Sequence, residues 1–278
     1  MSTWRDLITH SGLPKAEAQL LAARAAGRDR SWIIAHDTDT AVPSHAQTAQ
    51  VWFERRRAGE PVAYILGERE FYSLMLAVQP AVLIPRPETE QLVELALARL
   101  PRTGAARLLD VGTGSGAIAI AIAHARPDLE VWASDISQAA LAVARDNARR
   151  HGANIRFIES DGLNSLADAR FDVIVSNPPY IAAADPHLLA GDLRFEPRLA
   201  LESGPDGLTL IRRLAADARR HLGDGGWLLF EHGYDQGPVC TELLASLGYS
   251  DVCEARDLAG LSRISLGRGE ARAIGAGH

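Results

Sequence analysis

The run Phe171-Asp172-Val173-Ile174-Val175-Ser176 and the Asn177-Pro178-Pro179-Tyr180 that follows it constrain this chain more than any other stretch. A short β-branched run halted by two prolines reads as a buried strand that stops abruptly at its carboxyl edge, because proline neither donates to the ladder nor continues it. In open α/β sheets that edge is where ligands bind. The prolines fix φ and keep the residue before each of them out of the helical region, so the Asn177 side chain and the Pro178 carbonyl are expected to be nearly rigid. Both are hydrogen-bond acceptors. Held at that spacing they can take the two hydrogens of one planar NH2 group, with the Tyr180 ring packed over it. The implied guest is an amide or an exocyclic amine. Asn-Pro alone marks no more than a turn, so this reading depends on a cofactor loop nearby.

Such a loop stands earlier in the chain. Leu108-Leu109-Asp110-Val111-Gly112-Thr113-Gly114-Ser115-Gly116-Ala117 has the pattern of a strand, a glycine-rich turn and a helix start, the geometry in which backbone approaches a nucleotide closely. Gly112, Gly114 and Ala117 also satisfy the G-x-G-x-x-G/A dinucleotide fingerprint, so the loop alone leaves a nicotinamide cofactor open. The third glycine at Gly116, the acid Asp110 before the turn and the later Asn-Pro-Pro-Tyr favour S-adenosylmethionine. Asp135 closes the next strand, where a carboxylate can accept both ribose hydroxyls. Asp161-Gly162 follows the third strand, and Asp161 is placed to accept from an adenine amino group.

From Ala106 onward strand and helix patterns alternate, with strands expected at Ala106–Val111, Leu129–Ala133, Ile155–Ile158, Phe171–Ser176, Gly226–Glu231, Tyr249–Glu254 and Leu261–Leu266. This rhythm predicts a doubly wound α/β fold around a mostly parallel, seven-stranded sheet, with the last two strands forming an antiparallel hairpin at one edge. Residues 1–60 read instead as a small all-helical domain, and residues 61–82 as a β-hairpin linker made of extended runs Val62–Gly67 and Glu70–Val78. The large domain is expected over 83–278, and its Gly/Ala tail after Gly267 is expected to be disordered.

Composition narrows the function. The formal charge of −6 is the wrong sign for a chain that grips nucleic acid nonspecifically, and the arginine clusters Arg55-Arg56-Arg57, Arg149-Arg150, Arg212-Arg213 and Arg219-Arg220 read as solvated helix faces. No apolar run has membrane-spanning length, and Met1-Ser2-Thr3-Trp4-Arg5-Asp6 lacks the pattern of a signal peptide, so a cytoplasmic location is expected. Cys240 and Cys253 have no metal-like spacing and are expected as buried thiols, and no two histidines share one element at ligand spacing, so no metal is expected.

Taken together these motifs resemble the release-factor glutamine methyltransferases. The resemblance covers nearly the whole chain and rests on Leu83-Ile84-Pro85-Arg86-Pro87-Glu88-Thr89-Glu90, Asp110 to Ala117, Asn177-Pro178-Pro179-Tyr180 and Phe195-Glu196-Pro197-Arg198-Leu199-Ala200-Leu201. It implies a methyltransferase fold, S-adenosylmethionine as cofactor, and methylation of the side-chain amide of the glutamine in the Gly-Gly-Gln motif of class 1 peptide chain release factors. The partner is then a protein, the enzyme a monomer, and no direct nucleic-acid or membrane contact is implied. Adenine N6 methyltransferases share Asn-Pro-Pro-Tyr and are the alternative. The resemblance places the cofactor on Asp110, Gly112, Thr113, Gly114, Ser115, Gly116, Asp135, Asp161, Gly162 and Asn177. It places the substrate on Asn177, Pro178, Pro179 and Tyr180, with Arg86, Glu90 and Glu196 shaping the cleft. Many relatives carry a large aromatic after the acid that is Asp161 here. In this chain Gly162 stands there, and Leu163 is the candidate for packing the adenine.

Overall fold

The computed structural model describes residues 2–102, 104 and 106–269. The chain divides into two compact units, one formed by Met1–Glu68 with Leu189–Phe195 and the other by Arg69–Leu188 with Glu196–His278.

In the smaller unit, α1 (Trp4–Thr9), α2 (Lys15–Ala25), α3 (Arg30–Ala35), α4 (Pro43–Arg57) and α5 (Val62–Leu66) enclose a core that includes Trp4, Leu7, Leu21, Ile33, Phe53 and Ile65. Local chemistry sets the helix starts. Thr3 and Asp6 form a reciprocal capping box before α1, Asp29 accepts from the Trp32 N–H at 2.7 Å, and Pro43 opens α4. The run Val62–Gly67, expected as a strand, is the helix α5. Pro61 presets its first turn and accepts from the Tyr64 and Ile65 amides at 3.0 Å, and Gly67 closes it with a left-handed φ of +74°. Once Ile65 joins the small core, tertiary burial decides a short apolar run whose periodicity fits either state. The hairpin is therefore shorter than expected, β1 (Glu68–Phe71) and β2 (Leu74–Ala77).

Arg56 departs from the solvated face assigned to its cluster. Only 19% of its side chain is exposed, and its guanidinium pairs with Glu17 and Asp192, both at 2.7 Å, while also donating to the Glu60 carbonyl at 3.2 Å. Arg194 donates to the Ala58 carbonyl at 2.8 Å. These bonds hold Leu189–Phe195 on the helical unit although the segment is distant in sequence.

The larger unit is built on seven strands: β3 (Arg107–Val111), β4 (Glu130–Asp135), β5 (Ile155–Glu159), β6 (Phe171–Ser176), β7 (Leu222–Glu231), β8 (Ser250–Arg256) and β9 (Ser262–Arg268). Their spatial order is β5-β4-β3-β6-β7-β9-β8, parallel throughout except that β9 runs against both of its neighbours. Helices α6 (Glu90–Arg99) and α7 (Ala117–Ala125), with the hairpin, bury Leu92, Ile118, Ile122 and Leu76 against Leu108, Val173 and Val175. On the opposite face α9 (Thr209–His221) and α10 (Gly237–Ser246) bury Ile211, Leu214 and Leu244 against Leu109, Ile174 and Phe230. Successive strand residues point to opposite faces, and both faces are covered, which is why these strands read as continuous rather than alternating apolar runs. Each fully buried Leu, Ile or Phe contributes about 1.5–3 kcal/mol.

Several details differ from the sequence-based expectation. Strand β7 begins already at Leu222, and β9 continues past Gly267 to Arg268, while residues 270–278 of the expected tail lie outside the described residues. Cys240 is buried but Cys253 is exposed, because β8 is the edge strand and its outer face meets solvent. Among the described residues no helix is long and apolar enough to cross a membrane.

The remaining helix of this unit, α8 (Gln138–Arg150), ties the hairpin to the glycine loop through Asn147. Asn147 is fully buried. It accepts from the Ala77 amide at 2.7 Å and donates to the Ala77 carbonyl at 3.0 Å and the Ser115 carbonyl at 2.9 Å. Asn147→Ala leaves the half-buried Ala77 amide and carbonyl and the buried Ser115 carbonyl without this partner, so chemical denaturation should show a loss of roughly 2–4 kcal/mol. A loss within ~0.5 kcal/mol would show that water satisfies those groups instead.

Candidate active site

The order of the strands creates the site. The chain steps outward from β3 to β4 and β5, then returns to place β6 against the other side of β3, so the crossovers diverge between β3 and β6. A crevice opens at such a switch point. Val111 and Ser176 are register partners there, and the Ser176 hydroxyl donates to the Val111 carbonyl at 2.7 Å. The residues that follow each strand, the glycine loop and Asn177, are thus brought to one edge.

In the glycine loop the three positive-φ glycines have different tasks. At Gly112 (φ +72°) and Gly114 (φ +56°) no heavy atom lies within 4 Å of where a Cβ would stand, so bare backbone faces the open cleft. Gly116 (φ +85°) does not face it. A Cβ there would come within 2.8 Å of Ile120 Cδ1 and 3.2 Å of Ala144 Cβ, so this glycine serves close packing of α7 on α8. Thr113 and Ser115 line the cleft beside the first two.

Asp110 lies beneath the loop rather than on the cleft wall. It is fully buried, accepts from the Thr113 hydroxyl at 2.6 Å and the Ala119 amide at 3.3 Å, and leaves its other oxygen without a partner. Burial pushes its carboxyl up to about 7, against the opposing pull of those two donors. Asp135 lines the cleft. One of its oxygens accepts from the Gly114 amide and the other from the Ser137 amide, each at 2.9 Å, and burial raises its proton affinity despite them. Each carboxylate oxygen keeps a further acceptor direction.

Asn177, Pro178 and Pro179 line the same cleft, as do Arg86 and Thr89. The Asn177 NH2 group donates to the Thr89 hydroxyl oxygen at 3.1 Å, which leaves its amide oxygen free to accept. Tyr180 does not line the cleft. Its ring packs against the core on the α9 and α10 face of the sheet and its hydroxyl donates to Glu231 at 3.4 Å, with burial holding the phenol well above its ordinary range. Arg86 pairs with the buried Glu196, which also accepts from the Ile84 amide at 3.2 Å, so Glu196 pins the loop that carries Arg86. Glu90 faces elsewhere and accepts from the Tyr72 amide at 2.9 Å, holding the positive-φ hairpin turn.

Asp161 and Gly162 both line the cleft, but the Asp161 carboxylate is paired with Arg213 at 2.9 Å. The Arg213 guanidinium lies 3.5 Å from where a Cβ at Gly162 would stand. Arg213 therefore belongs to the cleft wall and not to the solvated face assigned to it, and it fills the space left by the missing side chain at 162. Leu163, Ile136 and Leu214 supply apolar surface nearby. Sequence reasoning also passed over Thr89 and Glu231. The available signal for Glu231 was an acid closing the apolar run Leu228-Leu229-Phe230, the same position at a strand end that singled out Asp135.

Residues 89–193 match the family model described as Methyltransferase small domain, and residues 3–67 match the PrmC N-terminal domain. The release factor glutamine methyltransferase of Bordetella pertussis is 50% identical over 268 residues, which is 96% of this chain and 99% of that protein. Its counterpart in Neisseria gonorrhoeae is 47% identical over 96% of this chain and 97% of its own length. Among solved structures, a methyltransferase from Pyrococcus furiosus aligns with a TM-score of 0.55 at 22% identity, covering 81% of this chain and 98% of that one. The Thermus thermophilus 16S rRNA N2 G1207 methyltransferase, solved with AdoMet and guanosine, aligns with a TM-score of 0.54 at 19% identity, covering 73% and 50% of the two chains. The structural likenesses establish a methyltransferase fold, and the near full-length identity to the curated relatives establishes the narrower grouping: this chain belongs to the release factor glutamine methyltransferase family.

Proposed function

We propose that this protein transfers the methyl group of S-adenosylmethionine to the side-chain amide nitrogen (N5) of the glutamine in the Gly-Gly-Gln motif of class 1 peptide chain release factors. It does so as a cytoplasmic monomer that contacts neither nucleic acid nor membrane directly. The observation that carries this reading is the Asn177 amide oxygen, left free at the cleft by the Thr89 bond, at the same sheet edge as the bare glycine loop. The formal charge of −6 favours a protein amide over the exocyclic amine of a nucleic-acid base.

The residues present fit the cofactor. Gly112 and Gly114 admit its close approach, Thr113 and Ser115 stand beside them, and Asp135 offers acceptors for ribose hydroxyls. Asp161, steadied by Arg213, accepts from the adenine amino group, while Leu163 and Leu214 cover the ring. Asp110 and Gly116 act through the loop they support. When bound, the cofactor supplies a methyl group on a positively charged sulfur.

An amide nitrogen is a poor nucleophile because its lone pair is delocalised into the carbonyl. Asn177 Oδ1 and the Pro178 carbonyl accept its two N–H bonds, which would fix the nitrogen for attack and favour a localised lone pair. With the cofactor bound, the sulfur would keep the C–S electron pair as the methyl passes to the nitrogen that Asn177 and Pro178 hold. One N–H proton then leaves to solvent, and no strong general base is needed. Arg86, held by Glu196, borders the entering peptide, and Glu90 shapes the cleft only by bracing the hairpin. Tyr180 packs behind the loop rather than over the guest. The domain of residues 1–60, which in the fold runs on through α5, extends the footprint on the release factor, with the hairpin Glu68–Ala77 as the linking segment and 83–278 as the methyltransferase domain.

Three measurements test this reading. Asn177→Ala should keep cofactor affinity while lowering methylation of release factor by on the order of 10²-fold, followed by mass mapping of the Gly-Gly-Gln peptide. Labelling of adenine in DNA or RNA with the peptide left untouched would hand the assignment to the adenine reading. Asp135→Ala should weaken S-adenosylmethionine binding by roughly 1–3 kcal/mol in calorimetric titration, and an unchanged dissociation constant removes Asp135 from the cofactor site. Hydrogen exchange within residues 1–60 should slow when release factor is added, and unaltered exchange there argues against a recognition role.

A further inference from the structure

The Asn177 side chain can accept from a substrate amide only if its oxygen, not its nitrogen, faces the cleft. Nothing in the two prolines decides this. A primary amide turned by half a rotation keeps its shape and exchanges an acceptor for two donors, so something beyond the Asn-Pro-Pro-Tyr backbone has to set its polarity.

A chain of hydrogen bonds from half-buried Asn177 through buried Thr89 to buried Glu231 does so. Asn177 follows β6 and Glu231 ends β7, two paired strands whose register sets Ser176 beside Phe230. Thr89, at the end of the short 3-10 turn Pro87–Thr89, lies between them. The Thr89 hydroxyl donates to Glu231 Oε2 at 2.6 Å, and the Thr89 oxygen accepts from Asn177 Nδ2 at 3.1 Å. Thr89 and Glu231 are 4% and 3% exposed, so water does not scramble the directions. A hydroxyl has one proton. Spent on a carboxylate, it leaves only lone pairs for Asn177, and only the NH2 end of the amide can meet them.

We propose that Thr89 and Glu231 are positioning residues for methyl transfer: ionised Glu231 fixes the direction of the Thr89 hydroxyl, and that hydroxyl turns the Asn177 oxygen toward the substrate amide. The proposal rests on the Asn177 reading above. It implies a dependence on pH. A protonated Glu231 can donate to Thr89, freeing the Thr89 proton for the Asn177 oxygen, and the amide then presents NH2 to a substrate NH2. Glu231 titrates at about 7 because it is buried and lies near Glu88, against the opposing influence of the Thr89 hydroxyl, Arg263 on β9 and the Tyr180 hydroxyl. Activity is thus present above that value and lost below it.

The test is methylation of full-length release factor by the intact enzyme at saturating S-adenosylmethionine, from about pH 5.5 to 8.5. Wild-type kcat should fall as pH drops through about 7. Glu231→Gln should remove that acid limb, leaving a rate that barely changes with pH. At pH 8 Thr89→Val should lower kcat by on the order of 10-fold or more with KM for both substrates little changed, and Thr89→Ser should restore most of it. An acid limb that survives in Glu231→Gln assigns the titration to another group, such as Asp110, and overturns the proposal. So does a Thr89→Val enzyme with wild-type kcat when Asn177→Ala is inactive. Full activity of Asn177→Ala instead overturns the reading beneath it, so the two failures are distinguishable. Should Thr89→Val fail to fold, the pH profile of the near-isosteric Glu231→Gln still decides.

Discussion

The pairing of β3 with β6 is the constraint on which the rest of this structure depends. Val111 and Ser176 are opposite one another, and the loops leaving them must share one crevice. Parallel pairing with both faces of the sheet buried is what allows this. A slip of β6 by one residue would turn Val173 and Val175 toward the face that α9 and α10 cover and Ile174 toward the opposite one, mismatching residues with two packed cores. The register is therefore enforced by some of the largest hydrophobic terms in the molecule, and the Ser176–Val111 bond adds a local lock. Positions at the site are held in good part by core residues that never touch it.

The same logic explains why the sheet and the cofactor loop were legible in the sequence while other parts were not. Alternating strand and helix patterns, a glycine turn and a double proline are local signals, and the structure places strands β3, β4, β5 and β6 at or within two residues of where those signals put them. Val62–Gly67 failed because a five-residue apolar run carries no usable period, and burial of Ile65 in the small core chose helix. Arg56 and Arg213 failed for a related reason. Charged residues on helices read as solvated, and only the fold brings Asp192 to one and Asp161 to the other. Cys253 is a matter of strand order, which no local pattern reveals.

Within the site, the glycines were legible as a group but not in their separate roles. Spacing alone could not show that Gly112 and Gly114 open the cleft while Gly116 lets α7 lie against Ala144. Nor could it separate Arg86, on the cleft wall, from Glu90 four residues later, which faces the hairpin turn. One turn of chain divides a residue that borders the ligand space from one that braces the scaffold.

The carboxylates sharpen the point. Asp110, Asp135 and Glu231 stand at the ends of β3, β4 and β7, and burial raises the proton affinity of all three. Burying an acid is costly, and an apolar residue of similar volume is generally the more stable choice. What an acid supplies that leucine cannot is direction. Asp110 orients the Thr113 hydroxyl, Asp135 holds the Gly114 amide, and Glu231 holds the Thr89 hydroxyl. Each lies one bond away from a group that lines the cleft. Stability given up beneath the site is converted into fixed donors and acceptors within it, which is the form of preorganisation that a reaction needing orientation rather than a strong base requires.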